Sequence, residues 1–270
     1  MNQLQKLWCY REFSLKAFQK RVQYRGQTFL FALGDGIKFI LLLVMWKAIF
    51  NASSTSQING ITWDEMKYYV LLTMLLSYFI EMPFLGVFGS KIIDGNITMD
   101  LIRPIDIQLM LLADVIGQQI SNFIIICLPI SIGIMLYLGE VPTLSLNLFN
   151  GIIALFLGFL TAFSIDYLIG TIGFWTTNVM GLQGMKRLII QVASGALMPL
   201  TLLPDWLYHL VKYLPFQGIL YVPLQCFLGK ITGKDAYLVL FQQFIWVIIL
   251  ILIGRMFFKI ASRKITIFGG

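Results

Sequence analysis

Asp35, Lys38, Glu81, Asp114 and Asp166 are ionisable residues set inside otherwise apolar stretches, and Arg255 stands near the end of the last such stretch. A charge inside a bilayer is costly unless it is paired or hydrated. Two kinds of chemistry are therefore open to these six. They could line a hydrated vestibule that admits a polar group, or form interhelical ion pairs and snorkelling ends that fix packing. Asp35 and Lys38 are three residues apart, a spacing that lets side chains on one helix face meet. Arg255 is the nearest candidate counter-charge for the acids. Glu81 and Asp166 are also the carboxylates that a proton- or sodium-coupled carrier would use.

Other chemistry is poorly supplied. His209 is the single histidine, and Cys9, Cys127 and Cys226 are too dispersed for a metal motif or a disulfide framework. No residue is assigned as catalytic or as a metal ligand. The stretch Gly229-Lys-Ile-Thr-Gly233-Lys234-Asp235 looks like a phosphate loop. A Walker A motif needs four residues between its glycines and a Ser or Thr after the lysine. Here three intervene and Asp235 follows, so the motif is rejected.

The elements that must position these charges are membrane helices. The 270 residues are 58% hydrophobic and 12% charged, against about 25% charged in a typical soluble domain. Too few solvated groups remain to cover a globular surface. Six apolar runs are long enough to cross a bilayer: roughly 29–50, 66–88, 107–138, 148–175, 187–203 and 236–258. The third is over-long and either tilts or lays its first turns at the interface. The fifth is short and ends among Pro199 and Pro204.

Most of the 20 lysines and arginines fall on one side of this arrangement. Lys6, Arg11, Lys16, Lys20, Arg21 and Arg25 lie in the leader, Lys91 and Arg103 in the first returning loop, Lys186 and Arg187 in the second. Arg255, Lys259, Arg263 and Lys264 lie in the tail. Lys67, Lys212, Lys230 and Lys234 face the other side. The positive-inside rule puts both termini in the cytoplasm and the in-span charges in the cytoplasmic half. The net charge of +7 thus reads as an orientation signal and not as a nucleic-acid surface.

Residues 1–28 form a basic leader in which Leu4, Trp8, Leu15, Phe18 and Val22 recur at helical spacing. This pattern predicts an amphipathic interfacial helix. Residues 29–270 are expected to form one six-helix transmembrane domain. Within it, 204–235 is punctuated by Pro204, Pro215 and Pro223, with Leu207, Leu210, Val211 and Leu214 helically spaced. It predicts a re-entrant outer hairpin before the last span, provided protein covers its irregular backbone.

The loop 89–106 combines charge, a Gly-Asn turn and a short amphipathic run ended by Pro104. Ile97, Leu101 and Ile102 give an apolar face, and Asp94, Asp100, Arg103 and Asp106 supply polar contacts. A short helix of this kind suits docking in a partner's groove. Its sequence, Ile-Ile-Asp-Gly-Asn-Ile-Thr-Met-Asp-Leu-Ile-Arg-Pro-Ile-Asp, resembles the G-x-I-x-x-x-L-x-R-P signature after the second span of ABC type-2 permeases. The closest likeness is to the bacterial branch encoded beside an ATPase and a second, different permease. Gly195-Ala-Leu-Met-Pro-Leu-Thr-Leu-Leu-Pro-Asp-Trp206, followed by Leu214-Pro-Phe216, is similar to the fifth-span exit and outer hairpin of that family.

The resemblance implies a non-catalytic transmembrane subunit of an exporter in the bacterial cytoplasmic membrane. Two permeases would face each other, each docked on a nucleotide-binding subunit. ATP and magnesium would belong to those two ATPase copies, and this chain would hold no cofactor. On the same basis Asp94, Gly95, Asn96, Asp100, Leu101, Arg103 and Pro104 are the expected coupling contact. The substrate would be amphiphilic: a drug, peptide, lipid or glycan precursor. The alternative is the ion-coupled secondary transporter that uses intramembrane carboxylates.

Overall fold

A computed structural model describes residues 3–53, 56–81, 84–138, 145–176 and 179–264. A helix α1 (Gln3–Gln23) precedes α2 (Arg25–Ala52). A two-residue hairpin follows, pairing Gln57 with Thr62 and Ile58 with Ile61. Asn59 and Gly60 both have positive φ there, the primed turn that matches strand twist. Thr62 and Glu65 then form a capping box, which satisfies the first amides of α3 (Trp63–Ile80).

The second apolar run is two helices. α3 ends at Glu81, whose backbone is extended (φ −68°, ψ 124°), and α4 (Phe84–Ile93) resumes beyond it. The loop helix α5 (Ile97–Leu101) leads to α6 (Ile107–Asn122). A π-turn at Phe123–Cys127 joins α6 to α7 (Leu128–Leu138). Pro129 explains the turn, because its ring has no N–H to donate and crowds the carbonyl of Ile125. α8 (Leu146–Thr171) is capped by the Ser145 side chain, which accepts from the Leu148 amide at 3.3 Å.

The fifth apolar run does not form a span of the expected extent. Its helix, α9 (Val179–Ala193), has 15 residues, or about 22 Å at 1.5 Å per residue, short of the ~30 Å hydrocarbon core. The chain leaves the helix through Gly195 (φ +78°), and Pro199 and Pro204 prevent a return. Among the described residues, five helical stretches and not six are long and apolar enough to cross a membrane: Arg25–Ala52, Trp63–Ile93, Ile107–Gly133, Leu146–Phe174 and Gly233–Ala261. The run 187–203 misled because its apolar residues continue past the helix into an irregular segment.

Residues 204–235 contain two short helices, α10 (Asp205–Tyr213) and α11 (Tyr221–Phe227), before α12 (Gly233–Ala261). The last carbonyls of α10, and those of the 3₁₀ turn Pro215–Gly218 that follows it, need donors. The side chains of α12 provide them. Gln242 Nε2 donates to Lys212 O at 3.2 Å, and Trp246 Nε1 to Tyr213 O at 3.0 Å. Gln243 Nε2 donates to Gly218 O at 2.5 Å and to Ala154 O at 3.0 Å. Protein side chains thus satisfy the non-helical backbone of this segment.

α8 is the central element: 61% of its most apolar window is buried, against 11% for α2. Two glycines permit backbone contact that a side chain would forbid. A Cβ on Gly158 would sit 2.6 Å from Gly218 O, and one on Gly117 would sit 2.0 Å from Ser14 O. The second contact seats α1 along α6, so the leader helix is packed on the body and not merely laid beside it. At one end of α8 an aromatic cluster joins Phe84, Phe88, Phe163 and Tyr167, with ring centroids 5.1 to 6.2 Å apart.

Candidate functional site

The loop segment is built as a rigid ledge under that aromatic cluster. α4 ends in a turn at Asp94–Gly95, where Gly95 has φ +72°. Ile97 then drops into the core beside Phe88 and Phe163, and is 1% exposed. Asp100 is also buried, held by Lys91 at 3.1 Å and approached by Arg103 at 3.8 Å. With one buried apolar anchor and one buried carboxylate anchor, the five residues of α5 cannot roll.

The ledge is tied to its neighbours as well. The Arg103 guanidinium lies 5.1 Å from the Phe13 ring centroid on α1. The Asp106 backbone N–H donates to the Tyr10 hydroxyl at 3.1 Å. The Asp106 side chain caps α6, accepting from the Leu109 amide at 2.9 Å, and pairs with Arg255 of α12 at 3.6 Å. Arg255 Nε also donates to Gln108 Oε1 at 3.1 Å. Arg255 therefore serves the ledge and is not the counter-charge of the in-span acids.

What this ledge presents outward differs from the amphipathic face expected of the sequence. Ile97 and half-buried Leu101 turn inward, while Met99 is 65% and Ile102 79% exposed. Around them Asp94, Gly95, Asn96, Arg103 and Pro104 are exposed. The outer surface is thus a two-residue apolar tip ringed by polar groups. Met99 was missed because a five-residue helix gives too short a periodic signal to choose between its faces.

The in-span charges are not gathered into one constellation. Asp166 of α8 is 2% exposed and pairs with Lys186 of α9 at 2.6 Å. Lys186 was missed, since positive-inside counting assigned it to a loop. Asp114 accepts from Gln118 Nε2 at 2.8 Å, one turn along α6. Glu81 lies exposed at the end of α3. Among the described residues, Asp35 and Lys38 form no ion pair; both are half-buried on α2, with Lys38 Nζ 5.3 Å from the Phe39 ring centroid.

The leader enters through Arg21, the half-buried guanidinium of α1, whose Nε donates to Asn122 Oδ1 at 3.1 Å. Burial pushes this guanidinium below its ordinary value because desolvation disfavours the charged form.

Residues 37–269 match the model of the family described as ABC-2 family transporter protein. The chain belongs to the ABC-2 transporter family. No curated protein matches it. Membership makes the chain a membrane component of an ABC-2 transporter, a class of domain that is typically non-catalytic and works with an ATPase. The ABC-2 match begins within α2, so α1 lies outside it. It includes the ledge, the Asp166–Lys186 pair and the α10–α11 segment.

Proposed function

We propose that this chain is the permease subunit of an ATP-driven exporter and that it docks on its ATPase through the ledge Asp94–Pro104. The observation that carries this reading is the exposed Met99–Ile102 tip on a segment locked by the buried Ile97 and Asp100. Lipid does not suit the tip, because Asp94, Lys91 and Arg103 surround it. A groove on a partner protein does, with the apolar pair buried and the polar ring at the rim. Because the mount is rigid, displacement of the tip would be delivered to α4 and α6 and not absorbed in the loop.

In this reading the ledge and both termini face the cytoplasm of a bacterial cell, ATP and magnesium reside in two copies of the ATPase, and an amphiphilic substrate crosses beside the permease. A second, different permease completes the path. α2 leaves room for a second subunit, since it carries Asp35 and Lys38 yet has most of its apolar window uncovered. The ion-coupled carrier draws less support: Asp166, one of its two carboxylates, is engaged by Lys186.

The test is Ile102→Asp combined with Met99→Asp in the tagged chain. A central apolar contact replaced by charge should lower recovery of the ATPase roughly tenfold or more, while the permease still accumulates in membranes. Undiminished recovery of the ATPase would place the docking contact elsewhere.

A further inference from the structure

A chain of hydrogen bonds runs from the leader helix to the C-terminal end of α3. Arg21 Nε on α1 donates to Asn122 Oδ1 at 3.1 Å, Asn122 Nδ2 to Gln119 Oε1 at 2.7 Å, and Gln119 Nε2 to the Glu81 carbonyl at 3.3 Å. The two α6 residues are almost fully buried, Gln119 at 2% and Asn122 at 5% exposure. Each amide is used in one direction only, its carbonyl accepting from the α1 side and its N–H donating toward α3. Both amide orientations are fixed at the ends, by a guanidinium that can only donate and a carbonyl that can only accept.

The end point is informative. Glu81 terminates α3 in extended conformation, so its carbonyl is not used by the helix and needs a donor inside the protein. The start point is equally so, because α1 belongs to the ledge through Phe13–Arg103 and Tyr10–Asp106 and to α6 through Ser14–Gly117.

We infer that Arg21, Asn122 and Gln119 are positioning residues of a relay that sets the stability of the C-terminal end of α3 at Glu81 according to how α1 lies on α6. The role goes beyond satisfying one carbonyl, for which Gln119 alone would suffice. A shift of α1 along α6 withdraws the guanidinium and frees Asn122 to reorient. Gln119 then loses the donor that fixes its carbonyl, and the Glu81 carbonyl loses its own donor in turn. If the ledge receives the motor, as proposed above, the relay is a route by which that push reaches the middle of a membrane span. Only this last clause rests on the docking reading.

The test is amide hydrogen exchange of the purified full-length chain in detergent, read at Tyr78–Glu81 in the last turn of α3. It needs neither motor nor substrate, so the relay and the docking reading fail separately. Gln119→Leu removes the last link and should speed exchange there by roughly three- to tenfold, as loss of one net hydrogen bond predicts. Asn122→Ser serves the same purpose if that variant does not accumulate. Arg21→Leu, remote from α3, should speed the same amides, and Arg21→Lys should restore them in part. Tyr10→Phe, which removes a different α1–α6 bond, should leave them unchanged. Unaltered exchange in Arg21→Leu would overturn the relay and reduce Arg21 to an anchor of α1. Equal acceleration by Tyr10→Phe would overturn it too, by showing that any loosening of α1 suffices.

Discussion

Asp166 and Lys186 show what a single residue can decide in this molecule. Their 2.6 Å contact joins α9, which is exposed along most of its outer face, to the central α8. Removing one partner of a buried pair leaves an uncompensated charge and costs about 3–5 kcal/mol, whereas replacing both by apolar groups is often neutral. Lys186→Met should therefore lower the unfolding temperature in detergent, and the double substitution Asp166→Leu with Lys186→Met should recover most of it. If the double variant is as unstable as the single one, the loss comes from the pair itself or its packing and not from an uncompensated charge. Asp100 obeys the same logic on the ledge. Asp100→Ala should loosen α5 while keeping the Met99–Ile102 tip, so it should weaken motor coupling less than the charged substitutions of the tip do. The acids themselves were legible in the sequence because charges inside apolar runs stand out. Their partners were not: Lys186 reaches Asp166 only through tertiary packing, and Arg255, expected as their counter-charge, pairs instead with Asp106 of the loop.

At the scale of elements, breaks matter more than helices. Gln243 of α12 ties the α10–α11 turn to α8 by donating to both Gly218 O and Ala154 O. Gln243→Leu should cost about 1–3 kcal/mol for the Gly218 carbonyl left unpaired, seen as a fall in unfolding temperature; no change would mean that another donor reaches that carbonyl. The α1–α6 contact at Gly117 makes a second expectation. Gly117→Val would drive a side chain into the Ser14 carbonyl, so trypsin should cut after Lys20 and Arg21 faster than in the parent chain. Equal cleavage would show that α1 does not depend on this seat. Sequence reading anticipated the leader helix, the proline-punctuated segment and the ledge, since each has a local periodic or turn signal. It overestimated the fifth span because hydropathy counts apolar residues whether or not Gly195 and Pro199 let them stay helical. The Thr62–Glu65 capping box was present in the sequence as T-x-x-E and went unused.

The whole molecule has a ledge of α1, α5 and the ends of α6 and α12 at one extremity, tied by Tyr10–Asp106, Arg103–Phe13 and Arg255–Asp106. Its family works with an ATPase, and on the docking reading proposed above the ledge is where energy would enter. The central claim is thus one of assembly. The measurement that tests it most directly is purification of the tagged chain from its native membranes in mild detergent, with identification of the co-purifying proteins by mass spectrometry. The account predicts an ATPase bearing Walker motifs, lost when Met99 and Ile102 carry charges, together with a second permease. A chain that reproducibly emerges alone, under conditions that keep it folded, would contradict the account and turn attention to Glu81 and Asp166 as ion carriers.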